Sequence, residues 1–216
     1  MYSLENDKVK VSFDNAGNLQ ELINLQTGHN YAGGYPVWRM LLQKGKRFEC
    51  EVVPETEPSI EQSGKTIVLT YDKNIFEGEA VKLGVKVSVS LDDDNVKWSI
   101  ELSNDESGCV IRDLLFPVIH DLQLPEKQEL IYPFTGGQKF KDIKSHIKTQ
   151  HSSWKGKDHI FIQWKHEYPR RAATNCFTFS GAEDGLYCGL HTNNNEETVH
   201  AFRMYGETLD ISFGRY

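Results

Sequence analysis

The chain has no apolar run approaching the ~18 residues that a bilayer-crossing helix needs. Met1 leads directly into a charged, alternating segment in place of an apolar leader. A soluble protein without a membrane partner is expected, cytoplasmic as the sequence stands and periplasmic or secreted if a leader has been removed. Cysteine is sparse: Cys50, Cys109, Cys176 and Cys188 are far apart, with no CxxC and no Cys/His pairing at zinc-finger spacing. The eight histidines form no HExxH and no His-x-His, and His146 and His151 are five apart, which is not a one-face helical spacing. Asp92, Asp93 and Asp94 lack the glycine and distal glutamate of a calcium loop and read as a solvated turn. No metal and no other cofactor is therefore expected. Concentrated positive charge is also missing, since 24 Lys and Arg stand against 31 Asp and Glu for a net charge of -7, with the signs interspersed. Only Lys139, Lys141, Lys144 and Lys148 make a local basic group, so a nucleic-acid partner, which needs a basic face, is not expected.

What is present is period-two alternation from end to end. Val9, Val11 and Phe13 alternate with polar residues, residues 14–18 (DNAGN) supply turn chemistry, and Leu19, Leu22 and Leu25 resume. Residues 37–42 and 48–53 flank a Lys-Gly-Lys-Arg turn, and 59–61 pairs with 66–71 across Ser63-Gly64-Lys65. Val81, Leu83, Val85, Val87, Val89 and Leu91 then alternate up to Asp92-Asp93-Asp94-Asn95, and Val96, Trp98, Ile100 and Leu102 alternate back. Further strands are expected at 110–119, with Pro117 marking a break or bulge, and at 129–134, 160–164, 176–180, 186–191, 198–205 and 208–213. Only 139–154 changes period, with Phe140, Ile143 and Ile147 at helical spacing. Residues 1–216 contain no repeat, linker or low-complexity tract, and their number suits one large β domain. The fold class is all-β, a sandwich of antiparallel sheets with almost no helix, below about a tenth of residues. Cys176 and Cys188 fall on consecutive strands, which leaves open a bridge or two small apolar side chains.

Two stretches, residues 4–32 (LENDKVKVSFDNAGNLQELINLQTGHNYA) and 168–191 (YPRRAATNCFTFSGAEDGLYCGLH), resemble the β-supersandwich domain of the galactose-mutarotase-like fold. That domain lies at the N-terminus of many bacterial glycoside hydrolases, including a group of glycoside-hydrolase-like proteins in which it precedes a (β/α)8 barrel. The resemblance implies a supersandwich of two large antiparallel sheets packed face to face. It also implies that 1–216 is the N-terminal part of a longer polypeptide, a non-catalytic domain that supports a downstream catalytic domain and contacts carbohydrate. Mutarotases of this fold use a histidine acid near an Asn-Pro-x-x-His-x-Tyr-Phe-Asn type motif and a late glutamate base. Phe116-Pro117-Val118-Ile119-His120-Asp121 has a histidine without the flanking pattern, and no matching glutamate is recognisable. A stand-alone aldose-epimerase-like enzyme and a structural or protein-binding sandwich remain as alternatives.

Glycoside hydrolysis needs two carboxylates facing each other across a cleft at ~5 to 10 Å, and the sequence singles out no such pair. Sugar binding needs aromatic faces and groups that fix hydroxyls. The densest such cluster is residues 151–171 (HSSWKGKDHIFIQWKHEYPRR), with Trp154, Trp164, His166, Glu167, Tyr168, Arg170 and Arg171, joined by His191 after the next hairpin. These residues are the candidate carbohydrate-binding set, for an oligosaccharide or glycoside. The same pattern also suits core tryptophans on one strand face and arginine caps on the other, and both readings stand at this point.

Overall fold

The computed structural model describes residues 1–45, 50–93, 95–134, 136–150, 153–155, 160–191 and 197–215, with only the backbone for Cys50, Gln150, 153–155 and Ile160. Lys46, Arg47, Phe48 and Asp94, which belong to the expected turns and strand starts, lie outside the described residues.

The chain opens with β1 (Tyr2–Glu5), β2 (Val9–Phe13) and β3 (Asn18–Asn24), which join the short β4 (His29–Asn30) and β5 (Tyr35–Pro36) in a five-stranded sheet. β6 (Arg39–Lys44) and β7 (Cys50–Pro54) begin the largest sheet, and β8 (Ser59–Ser63) and β9 (Thr66–Tyr71) begin a third. The large sheet resumes with β10 (Asn74–Phe76) and β11 (Glu79–Val81), and the third is completed by β12 (Leu83–Leu91) and β13 (Val96–Asn104). After β14 (Cys109–Ile119) come β15 (Glu129–Tyr132), β16 (Gln138–Phe140), helix α1 (Ile143–Gln150), β17 (Ser153–Lys155) and β18 (Ile160–Tyr168). The chain closes with β19 (Cys176–Ser180), β20 (Gly185–Gly189), β21 (Thr198–Tyr205) and β22 (Thr208–Arg215). The large sheet has nine strands in the order β11-β10-β7-β6-β14-β22-β21-β18-β17. The third sheet runs β13-β12-β9-β8 and the fourth β16-β15-β19-β20. Every pairing among them is antiparallel. Among the described residues the fold is an all-β sandwich with one short helix, as the alternation predicts.

Local chemistry explains the main elements. In β12, Leu83, Val85, Val87, Val89 and Leu91 are buried while the intervening positions are half-buried or exposed, so one strand face supplies core. Asp92 and Asn95 exchange both backbone hydrogen bonds, at 3.0 and 3.3 Å, and fix the β12–β13 hairpin register. Pro117 cannot donate to a ladder, and the β14–β22 register shifts between Leu115 and Val118, around it. The helix is shorter than the 139–154 pattern: Phe140 belongs to β16, and Asp142 caps α1 by accepting from the Ser145 backbone N–H at 2.9 Å. Ile143 and Ile147 are buried on its inner side.

Buried residues from all four sheets form one continuous core, with Phe13 against Trp98, Trp38 against Tyr71, and Tyr132 among Trp164, Phe177 and Phe202. Leu115, Val118 and Ala201 form a separate apolar cluster on the opposite face of the nine-stranded sheet. Cys176 and Cys188 are free thiols: Cys188 stands opposite Phe177 and Cys176 opposite Gly189, so the two face opposite sides of the hairpin.

Candidate functional site

Alternation along the last strands divides the nine-stranded sheet into two chemically different faces. His200, Phe202 and Met204 of β21 stand opposite Phe213, Ile211 and Leu209 of β22 and point into the core. The intervening Arg203 stands opposite Asp210, and Ala201 opposite Ser212, on the other face. Arg203, Asp210, Ser212 and Asp113 of β14 are nonetheless buried, Asp113 with 8% exposure.

Curvature accounts for that burial. Arg39 of β6 is level with Val199 of β21 through Leu115 and Gly214, so in a flat sheet Tyr205 would be three intervals of about 4.8 Å away sideways and a further six residues, roughly 20 Å, along the strand, beyond the reach of two side chains. Yet the Arg39 guanidinium donates to the Tyr205 hydroxyl and lies 6.0 Å from its ring centroid. The sheet must curl toward this side, making a concave face.

The floor of that face is a charged cluster. Arg39 pairs with Glu51: Nη2 donates to Oε2 at 3.0 Å, and Nε lies at ion-pair distance, 2.8 Å, from Oε1. Arg203 donates from Nε to Gln163 Oε1 at 2.7 Å, holds Nη2 3.5 Å from Asp113 Oδ2, and lies 5.3 Å from the Phe161 ring centroid. Lys165 Nζ is 3.7 Å from the same Asp113 oxygen. Burial lowers the pKa of both Arg203 and Lys165 from their ordinary values. Asp113 Oδ1 is buried and has no hydrogen-bond partner among the described residues. Beside it is Gly214, where a β-carbon would lie 3.7 Å from Oδ1 and 2.9 Å from Leu115 Cδ2, so the backbone approaches this oxygen closely and only glycine fits without displacing Leu115.

A second pair lies where β14 ends. His120 Nδ1 is 2.7 Å from Asp210 Oδ2, and Asp210 Oδ1 accepts from the Asp121 backbone N–H at 3.0 Å. With both carboxylate oxygens engaged, Asp210 selects the tautomer that carries the proton on Nδ1, leaving Nε2 of the neutral ring as the basic nitrogen. The exposed Tyr35 ring is 5.6 Å from the imidazole.

Strand alternation splits the residues singled out in 151–171. Trp164 and His166 point inward and are buried, Trp164 within 5.0 Å of the Phe140 and Phe202 rings and His166 within 4.8 Å of Phe134. Tyr168 follows on that inward side and is half-buried. Glu167 is on the concave side with Phe161, Gln163 and Lys165. Arg170 and Arg171 are exposed past the strand, Arg170 Nε lying 3.2 Å from Glu197 Oε1, and exposed His191 lies tilted beside Tyr187 with its Nε2 3.3 Å from the Tyr187 hydroxyl. The backbone of Trp154 pairs with Phe161, and its side chain lies outside the described residues. The structure thus brings Trp164 and His166 together in the core and places Glu167 alone of the set on the concave face.

Arg39, Asp113, Arg203 and Asp210 come from positions spread over most of the chain, and nothing in their local sequence groups them. The available signal was a charged residue set in a strand otherwise rich in buried residues, as at Asp113, Arg203 and Asp210.

No family model and no curated protein matches the chain. Among solved structures, the crystal structure of 4-alpha-glucanotransferase from Thermococcus litoralis is similar at 11% identity with a TM-score of 0.40, covering 99% of this chain and 37% of that one. The chain therefore spans little more than a third of that protein's length.

Proposed function

We propose that the chain is a supersandwich domain of a glycoside-hydrolase-like protein that contacts carbohydrate through the concave face of its nine-stranded sheet and supports a catalytic domain of the same polypeptide. The observation that carries this reading is the buried, unpartnered Oδ1 of Asp113 beside Arg203 and Lys165. A sugar hydroxyl donates and accepts at once, so once the side chains that cover Oδ1 move aside, adjacent hydroxyls can donate a hydrogen bond to Asp113 and accept from the cations. Phe161 and Tyr205, with ring centroids 5.7 Å apart, supply apolar area for the C–H face of a sugar ring. The resemblance of residues 4–32 and 168–191 to supersandwich domains supports the same assignment. Hydrolysis is left to the catalytic domain.

Isothermal titration of the chain against a panel of neutral oligosaccharides tests the reading. Millimolar affinity is expected, because an open face makes few contacts to offset the cost of association. Asp113→Asn keeps the shape and weakens the acceptor, and should reduce affinity about tenfold, the range of a hydrogen bond to a charged group. No binding to any member of the panel, or binding indifferent to Asp113→Asn, would end this reading.

One observation favours a second reading, that of an aldose-epimerase-like enzyme. His120 held by Asp210 is an oriented imidazole of the kind that moves protons in catalysis. Polarimetry separates the two: the first reading expects no acceleration of anomer equilibration, and acceleration abolished by His120→Ala would replace it with the second.

A further inference from the structure

The third sheet ends on an open edge. β13 is nine residues long and pairs only with β12 among the described residues. Asp92 and Asn95 form a hydrogen-bonded pair, so in the β12–β13 ladder the odd-numbered residues of β13 direct their backbone groups to β12. Val96, Trp98, Ile100 and Leu102 then direct theirs out of the sheet. The side chains of these four are half-buried, and those of Lys97, Ser99 and Glu101 are exposed. Below the edge is an apolar groove of about 430 Å³, walled by Trp98, Ile100 and Leu102 on one side and Leu114, Phe116 and Phe213 on the other. A strand laid along β13 would satisfy the outward backbone groups and lengthen the apolar wall.

We propose that the occupant is β13 of a second copy of this chain, in an antiparallel pair with its two-fold axis at Ser99. An antiparallel partner must match outward-directed residues with outward-directed residues, which restricts the axis to positions such as Trp98, Ser99 or Ile100. An axis at Ser99 sets Lys97 opposite the partner's Glu101 and Glu101 opposite the partner's Lys97. It also sets Trp98 opposite the partner's Ile100, and Val96 opposite the partner's Leu102. An axis at Trp98 or Ile100 sets Lys97 opposite a serine instead. The charges and the apolar side chains therefore select one self-complementary register, with about eight new backbone hydrogen bonds. Among the described residues, Lys97 and Glu101 make exposed contacts within their own sheet, to Asp92 and Lys86, which offer little competition. The two four-stranded sheets become one continuous sheet across the dimer, and each edge is covered by the other.

Sedimentation velocity of the 216-residue chain over a concentration series should show a concentration-dependent dimer. Glu101→Lys, or Lys97→Glu, sets like charges opposite each other twice by symmetry and should weaken the dimer at least about tenfold. Mixing these two variants recreates both opposite-charge pairs and should restore association as a heterodimer. Ser99→Cys should form a disulfide-linked dimer on mild oxidation, above the wild-type background. A non-hydrogen-bonded antiparallel pair brings the Cα atoms to about 4.5 Å, within bridging range. Ser103→Cys, away from the axis, should not. A monomer throughout the series overturns the proposal, as does a dimer indifferent to both charge reversals, a mixture that stays monomeric, or equal cross-linking at the two cysteines.

Discussion

His200 shows how a buried polar side chain is kept at low cost and what it does to stability. Its Nδ1 accepts from the Tyr132 hydroxyl at 2.8 Å and its Nε2 donates to Asn175 Oδ1 at 3.0 Å, so the neutral ring is satisfied at both nitrogens. Burial, reinforced by the nearby His166, pushes its pKa down to about 4. The unfolded chain titrates at about 6.5 and binds this proton more readily than the folded one, so the contribution is fully present above pH 6.5 and is lost as pH falls toward 4. Chemical denaturation at pH 7 and pH 4 should show a loss of about 3 kcal/mol from this group, and His200→Gln should remove that part of the pH dependence. Trp164 tests the neighbouring surface. As a core aromatic its replacement by Ala should cost about 3–5 kcal/mol and leave sugar affinity per folded molecule unchanged, by denaturation and calorimetry respectively.

At the scale of elements, the first hairpin was legible because its turn chemistry is local. Asp14 accepts from the Asn18 backbone N–H at 2.9 Å and from Gln20 Nε2 at 2.9 Å, closing the loop that residues 14–18 announce. Gly17 has φ +80°, and a β-carbon there would lie 2.3 Å from Tyr71 Oη, on a strand of another sheet. Gly17→Ala therefore meets both a left-handed backbone, costing about 1–3 kcal/mol, and a collision with the sheet contact. A fall in the thermal midpoint that is partly recovered by Tyr71→Phe would separate the two effects. Elements with less local signal were harder to read: β5 and β10 are only two and three residues long, β5 being held by β3, and β10 by β7 as well as by its hairpin with β11. The period of β18 was readable too, but which of its faces would meet the core was decided by its pairing with β21. For that reason Trp164 and Lys165, adjacent in sequence, serve different sides of the sheet.

On the scale of the whole molecule, the all-β class follows from alternation alone, whereas the concave cluster depends on sheet order and curl, which no local pattern carries. Arg39 near one end of the sequence and Tyr205 near the other meet only because β6, β14, β22 and β21 lie side by side and bend together. If this contact helps to hold the curl, removing either partner should loosen the same structure. Arg39→Ala would also release Glu51, so Glu51→Gln provides the background that isolates the Tyr205 contact. In that background, a double-mutant cycle of Arg39→Ala with Tyr205→Phe should give a coupling energy of about 0.5–3 kcal/mol, the range for residues in direct contact. Sugar affinity should fall in the Arg39 variant even though Asp113 is untouched, because flattening the sheet moves Arg203 and Phe161 away from Asp113. Additive stability effects with unchanged affinity would mean that the strands hold their curvature without this contact, and that the concave floor is set by backbone pairing alone.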